Sequence, residues 1–160
     1  MLPLKDTAEI YRIGLVTGLF MKIDVIKWAD KIIEYEENIE YEIIEISLMQ
    51  NTKVEDIALK LYEINGIPNN QNVLNTFLGL CSYAYTKNKF TAHEICTILY
   101  KFVISKTHIP LASDIEQMIH YLSDGYYLAS SGTYGNLNVI CKDLKNFLNM
   151  YSEYAKRFIY

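Results

Sequence analysis

Apolar residues recur every three or four positions along most of this 160-residue chain. That spacing places them on one face of an α-helix, whereas a β-strand would show strict alternation. The clearest stretch runs from Thr52 to Ile64 and ends in the helix-stop sequence Asn65-Gly66 followed by Pro68. The pattern predicts an all-α protein.

Start and stop signals divide the chain into seven or eight helices. The segment Tyr41 to Met49 fits either a helix or a strand, and a helix is favoured because no second strand-like run could pair with it. Three Ser/Thr-x-x-Glu sequences predict capping boxes, at Thr52, Thr91 and Ser113. The first predicted helix begins near Asp6 and ends at Gly18. The later predicted helices cover 23–37, 41–49, 52–64, 72–86, 91 to before Pro110, 113 to about 129, and 138–158.

The length of the chain favours one domain, a helical bundle or array spanning residues 1–160. A chain of this size buries roughly 70% of its unfolded surface and needs no metal or disulfide to fold. Three cysteines, Cys81, Cys96 and Cys141, follow no short spacing, and no secretory signal precedes the first helix. We therefore expect free thiols in a cytoplasmic protein. The longest apolar run, from Ile13 to Met21, is too short to span a membrane.

Negative charge is concentrated in one segment of the chain. The whole chain carries −4, but Asp24 to Glu63 holds eleven acids and four bases. Within it, Asp30 to Glu45 holds seven acids and one base. Such a field repels phosphate and disfavours direct binding of nucleic acid. A solvated helix face is one interpretation, and a docking surface for a basic protein is the other. The second predicts a partner-facing set of Glu34, Glu36, Glu37, Glu40 and Glu42.

No pattern for catalysis or for a cofactor is present. The chain has no Gly-rich phosphate loop, no Ser-His-Asp arrangement and no paired CxxC, so we predict no catalytic residue, no metal and no cofactor. His93-x-x-Cys96 supplies two side chains one helical turn apart, but zinc needs a third or fourth ligand. A helix-capping region with a core cysteine explains these two residues better.

Tyrosine is unusually frequent in the second half of the chain. Ten of the fourteen tyrosines lie from Tyr83 onward. A tyrosine offers a large ring and a hydroxyl at low entropic cost, which suits protein interfaces. A compositional bias towards Ile, Lys, Asn and Tyr explains much of the excess equally well. Tyr126, Tyr127 and Tyr134 flank the loop-like Ser130 to Gly135 and are the predicted anchors.

Three stretches in the first half carry a family resemblance. They are RIGLVTGLF (12–20), KWADKIIE (27–34) and YEIIEISL (41–48), followed by a capped helix. This order resembles the N-terminal half of small bacterial immunity proteins from polymorphic toxin systems, including contact-dependent growth inhibition. The resemblance covers about residues 10–64.

The resemblance implies a cytoplasmic binding protein without catalysis that seals a cognate protein toxin. The usual toxin in such systems is a basic nuclease, and an EndoU-type RNase is one candidate. Two other classes stay open. A helical adaptor or regulator could use the same acidic face for another bacterial protein or a peptide. A small helical enzyme or metal protein would need His93, Cys96 and a third ligand to converge.

Overall fold

The computed structural model describes residues 2–105 and 107–159, and the regular secondary structure of these residues is entirely helical. The predicted all-α class is confirmed. Contacts along the chain divide the helices into two compact units, Leu2–Asn69 and the residues from Asn70 onward. We call them the N-terminal and C-terminal units. That residues 1–160 act as one domain stays a prediction.

The N-terminal unit consists of four helices around an apolar core. They are α1 (Leu4–Thr17), α2 (Lys22–Tyr35), α3 (Tyr41–Ser47) and α4 (Val54–Glu63). Helix α1 packs on α4, and α3 packs on both α2 and α4. These contacts close around the buried side chains of Ala8, Leu15, Val25, Ile26, Ala29, Ile43, Ile46, Ile57, Leu61 and Ile64.

The boundaries of the first three helices follow from local signals. Helix α1 begins at Leu4, directly after Pro3, and ends at Gly18, whose φ of 90° is a conformation that favours glycine. Asp6, near which the sequence predicts the start of this helix and which could have served as its N-cap, therefore lies inside the first turn, and the N-cap is Pro3. The ambiguous segment after Glu40 is helix α3, as favoured, because Ile43 and Ile46 lie on the same face and are both buried.

Helix α1 buries charged side chains that its sequence pattern would leave in solvent. Glu9 pairs with Arg12, whose Nη2 donates to Glu9 Oε2 at 2.6 Å, and with Lys5, whose Nζ lies 3.1 Å from Glu9 Oε1. Lys5 also donates to the backbone carbonyl of Tyr62 at 2.7 Å, which ties α1 to α4. Asp6 accepts the backbone N–H of Asn69 at 2.8 Å. Glu9, Lys5 and Arg12 are thus paired with one another, which is what burial of charge requires, whereas Asp6 Oδ2 is buried without a hydrogen-bond partner among the described residues.

The C-terminal unit contains five α-helices and one short 3₁₀ helix in its described residues. The helices are α5 (Asn70–Thr86), α6 (Ala92–Ile104), α7 (Ser113–Ser130), α8 (Leu137–Asn149) and α9 (Lys156–Ile159), with the 3₁₀ helix at Ser152–Ala155. Helix α7 packs on α6 and α8, and α5 packs on α8 and on the 3₁₀ helix. The rings of Phe77 and Phe102 meet in its core with centroids 4.8 Å apart.

The prediction of one continuous helix from 138 to 158 is wrong. Helix α8 ends at Asn149, and the 3₁₀ helix and α9 follow it. The end of α8 allows the backbone of Tyr151 and Ala155 to pack directly against Gly79 of α5. A Cβ placed on Gly79 would lie 2.5 Å from the carbonyl oxygen of Tyr151 and 2.9 Å from the nitrogen of Ala155. Apolar residues at positions three apart continue through a 3₁₀ helix, so the sequence pattern does not reveal the break.

Only one of the three predicted capping boxes forms. Thr91 donates its backbone N–H to Glu94 Oε2 at 2.7 Å, and Thr91 Oγ1 accepts the N–H of Glu94 at 3.2 Å. The other two predictions are wrong, because α4 and α7 begin one residue away from the required register. Their N-cap residues are Lys53 and Ala112, and neither has a side-chain capping bond.

Candidate protein-binding surface

The connection between α2 and α3 carries the five predicted partner-facing glutamates. Helix α2 ends at Tyr35, and Glu36 adopts an extended conformation after donating its N–H to the carbonyl of Ile32 at 2.9 Å. Packing of α3 on α2 holds both ends of the connection. We call the surface formed by Glu34, Glu36, Glu37, Glu40 and Glu42 the acidic junction.

The five carboxylates differ in their surroundings. Glu34, Glu36 and Glu37 are exposed, and no ion pair or side-chain hydrogen bond involves them within the part of the chain that the structure describes. Glu40 is half-buried, and its Oε2 accepts the N–H of Asn65 at 3.2 Å. Glu42 is half-buried in the first turn of α3. The charge available to a partner is therefore concentrated at Glu34, Glu36 and Glu37.

Two further acids of the charged segment share one lysine, which offsets one of their two negative charges. Lys60 Nζ lies 2.8 Å from Glu45 Oε2 and 2.7 Å from Glu63 Oε2. Hydrogen bonds to Glu45 and then Glu63 raise the pKa of Lys60, so its ammonium stays charged. The large negative charge between Asp24 and Glu63 is therefore not spread evenly over the surface.

The position of Glu34 and Glu36 is unfavourable for α2 itself. A helix C-terminus carries partial negative charge, and an acid there costs about 0.3–1 kcal/mol at low ionic strength. Glu34 is in the last turn, Glu36 is the C-cap, and no basic residue in the last turn compensates them. Asp30 lies four residues before Glu34 and Lys31 lies three residues before it, so the effects of these two neighbours on the Glu34 carboxylate oppose each other. These carboxylates are not explained by the stability of the helix.

Large apolar side chains are exposed beside the acidic junction. Tyr35, Tyr41 and Leu48 are 75%, 67% and 80% exposed, respectively, and Ile44 is also exposed. Protein interfaces are enriched in tyrosine, and charged residues concentrate at their rim. The sequence pattern missed these residues, because apolar side chains within a helical pattern are expected to face the core.

The only tryptophan belongs to the core and not to this surface. Trp28 is half-buried, and its ring lies 4.9 Å from that of Tyr11 between centroids. Burial, together with the charge of Asp24, raises the pKa of Tyr11 to about 12. The phenol is therefore neutral at physiological pH, and the pair acts as apolar packing.

The three predicted tyrosine anchors lie in the C-terminal unit. Tyr126 is half-buried, and its ring centroid lies 5.8 Å from that of His93. Tyr127 and Tyr134 are largely exposed, and Tyr134 lies in the turn between α7 and α8. Tyr126 and Tyr127 line a cleft of about 270 Å³ between α6 and α7 that we call the tyrosine cleft. Its lining consists of His93, Cys96, Thr97, Tyr100, Ser123, Asp124, Tyr126 and Tyr127.

His93 and Cys96 both line this cleft but show no ligand geometry. Cys96 is buried, and its Sγ contacts the carbonyl oxygen of Leu122 at 3.9 Å. Burial raises the pKa of the Cys96 thiol to about 12, which suppresses the nucleophilic thiolate. Within residues 2–105 and 107–159, no three His, Cys, Asp or Glu side chains are grouped so that they could hold a metal ion.

Comparisons with protein-family models, curated proteins and solved structures give no match to this chain. Among the described residues, no helix combines the length and apolar character needed to cross a membrane.

Proposed function

We propose that this protein is an immunity protein that binds and neutralises a cognate basic toxin through the acidic junction. One observation carries the proposal. Three exposed carboxylates without ion-pair partners among the described residues, Glu34, Glu36 and Glu37, are flanked by the exposed side chains of Tyr35 and Tyr41. This combination of charge and aromatic surface suits a protein partner of opposite charge.

A nuclease is the toxin class that fits this chemistry. A nuclease must hold a polyanion, so its substrate-binding surface is basic. An acidic binder accelerates association with such a surface by electrostatic steering. Exposed Tyr35, Tyr41 and Leu48 would be desolvated in the complex and slow its dissociation. The protein would act in the cytoplasm, by binding and without catalysis, where a nuclease toxin reaches its substrate.

Partner capture tests the class of the toxin. The chain, expressed with an affinity tag in its native host, should retain a stoichiometric basic nuclease that mass spectrometry identifies. Expression of that nuclease alone should arrest growth, and co-expression of this chain should restore it. A captured protein whose toxicity this chain does not relieve would indicate an adaptor or regulator instead.

Charge reversal tests the surface once the partner is in hand. The double variant Glu36→Lys/Glu37→Lys should slow association with the nuclease by about tenfold at low salt, because steering is lost. The matched control is Glu55→Lys/Asp56→Lys, which changes two exposed acids on α4 of the same unit and alters the net charge equally. Association rates come from surface plasmon resonance at several salt concentrations. Equal slowing by both variants would reject the acidic junction as the binding surface.

A further inference from the structure

The tyrosine cleft has a chemistry that the proposed toxin binding does not use. Its described lining residues all come from α6 and α7, so both of these walls belong to the C-terminal unit. The volume of about 270 Å³ lies just below the range of roughly 300–1,000 Å³ of typical ligand pockets. The cleft therefore suits one small group or one side chain and is too small for a nucleotide.

The two aliphatic hydroxyls that line the cleft already donate to backbone carbonyls, whereas the phenolic hydroxyls of its tyrosines can both donate and accept. Thr97 Oγ1 donates to the carbonyl of His93 at 2.9 Å, and Ser123 Oγ donates to the carbonyl of Ile119 at 2.9 Å. The thiol of Cys96 is directed to the carbonyl of Leu122. The oxygens of Thr97 and Ser123 consequently retain only lone pairs for a ligand. A ligand that donates several hydrogen bonds matches this lining.

Aromatic faces and one carboxylate complete the lining. Tyr100, Tyr126 and Tyr127 line the cleft, and the face of a tyrosine ring attracts a cation within about 6 Å of its centre. Asp124 adds a negative charge at the cleft. Among the described lining residues there is no lysine or arginine, so no permanently positive side chain there would attract an anion.

We propose that the tyrosine cleft binds a guanidinium group. A guanidinium is planar, stacks on aromatic rings and presents five N–H donors, whereas an ammonium is a compact, strongly hydrated charge with three. The lining provides both the rings for stacking and several separate acceptors, so guanidinium is the better match. This site is independent of the acidic junction, and its failure would leave the proposed function unaffected.

A titration with matched probes tests the proposal directly. N-acetylarginine amide carries the guanidinium, and N-acetylcitrulline amide is nearly the same shape without charge. Backbone amide NMR of the full chain should show saturable shifts at residues 93–100 and 123–127 for the arginine probe. Its affinity should exceed that of the citrulline probe by at least about threefold, as expected for a cation–π contact. Equal binding of both probes, or no saturable shift in these residues, would overturn the proposal.

Two variants and one control locate the binding. Asp124→Asn should weaken the arginine probe by about two- to fivefold, the range of an exposed charge pair. Tyr126→Leu removes a ring of the cleft and should weaken the probe further, while Tyr126→Phe, which keeps the ring, should bind within about twofold of the natural chain. Glu116→Gln removes an exposed acid of the same helix outside the cleft and should leave affinity unchanged. A loss in Glu116→Gln equal to that in Asp124→Asn would show general charge attraction and reject the site.

The guanidinium could belong to a small free cation or to an arginine side chain of a protein. Titration with the bare guanidinium ion and with the peptide acetyl-Gly-Arg-Gly-amide separates these sources. A cleft that receives a side chain binds the peptide at least as tightly as the bare ion. A cleft that admits the ion but rejects the peptide is reserved for a free cation.

Discussion

The acidic junction and the tyrosine cleft both attract positive charge, but they do so over different distances. The junction leaves Glu34, Glu36 and Glu37 in solvent, where their field reaches about 8–10 Å at physiological salt. The cleft combines tyrosine rings with one acid, Asp124, and a ring attracts a cation only at close range. The first arrangement favours rapid association, and the second favours selective contact. Salt should therefore weaken binding at the junction more than binding at the cleft.

The helices that support the acidic junction contain buried charges, whereas the charges of the junction itself are exposed. Helix α1 buries Glu9 between Arg12 and Lys5, and the same cluster contacts Tyr62 of α4, on which α3 packs. Glu9→Gln would leave two positive charges in a buried position without their counter-ion. We expect a loss of about 3–5 kcal/mol in the free energy of unfolding, measured by urea denaturation. This is the largest effect that we predict.

A matched exposed pair provides the control for that prediction. Lys156 and Glu153 are also three residues apart, and their charged atoms lie 2.7 Å apart, but the Glu153 side chain is 77% exposed against 2% for Glu9. Glu153→Gln should change the free energy of unfolding by less than about 1 kcal/mol. Similar losses in the two variants would mean that burial does not determine the strength of the α1 cluster.

Much of the helical framework could be predicted from the sequence because its signals are local. Gly18 ends α1, Thr91 and Glu94 form the predicted box at α6, and the apolar stripe of 52–64 becomes α4. Each of these signals acts within a few residues. The helix class of α3 followed from the lack of a pairing strand, which is also a property of the sequence.

The features that could not be predicted from the sequence depend on contacts between residues that are distant in the chain. The break after Asn149 is matched to Gly79, seventy positions earlier, and carries no glycine or proline of its own. Lys5, Glu9 and Arg12 look like a solvated helix face until Tyr62 and the surrounding helices cover them. Which apolar side chains stay exposed, as Tyr35 and Leu48 do, is likewise decided only when the helices pack. The same is true of the cleft between α6 and α7.

Two helical glycines test how tightly the C-terminal unit, which carries the cleft, is packed. Gly79→Ala should destabilise the protein by about 1–3 kcal/mol, because its Cβ would collide with backbone atoms of Tyr151 and Ala155. At Gly125, beside Asp124 in the cleft wall, the nearest atom is Cδ1 of Ile140 at 2.6 Å. That atom is the far end of a flexible side chain that can rotate away.

Gly125→Ala should therefore be close to neutral, since the gain in helix propensity of up to about 1 kcal/mol offsets the displacement of Ile140. Urea denaturation of both variants gives the comparison. Equal losses would contradict the assignment of Gly79 as a site of backbone contact.

Neutralising single glutamates of the acidic junction gives the smallest predicted effect and the most direct view of its purpose. Glu36 caps the C-terminus of α2, where its charge is unfavourable, and Glu42 lies in the first turn of α3, where its charge is favourable. Glu36→Gln should raise the free energy of unfolding by about 0.3–1 kcal/mol, and Glu42→Gln should lower it by a similar amount.

Both changes should diminish as salt is raised, because screening weakens the interaction with the helix ends. Urea is the suitable denaturant, since it adds no ionic strength of its own. If Glu36→Gln is more stable but associates more slowly with the captured nuclease, the carboxylate is retained at a cost to stability for the sake of binding. If Glu36→Gln is instead less stable, the Glu36 carboxylate supports the fold, and the acidic junction loses one of its three exposed charges as a binding group.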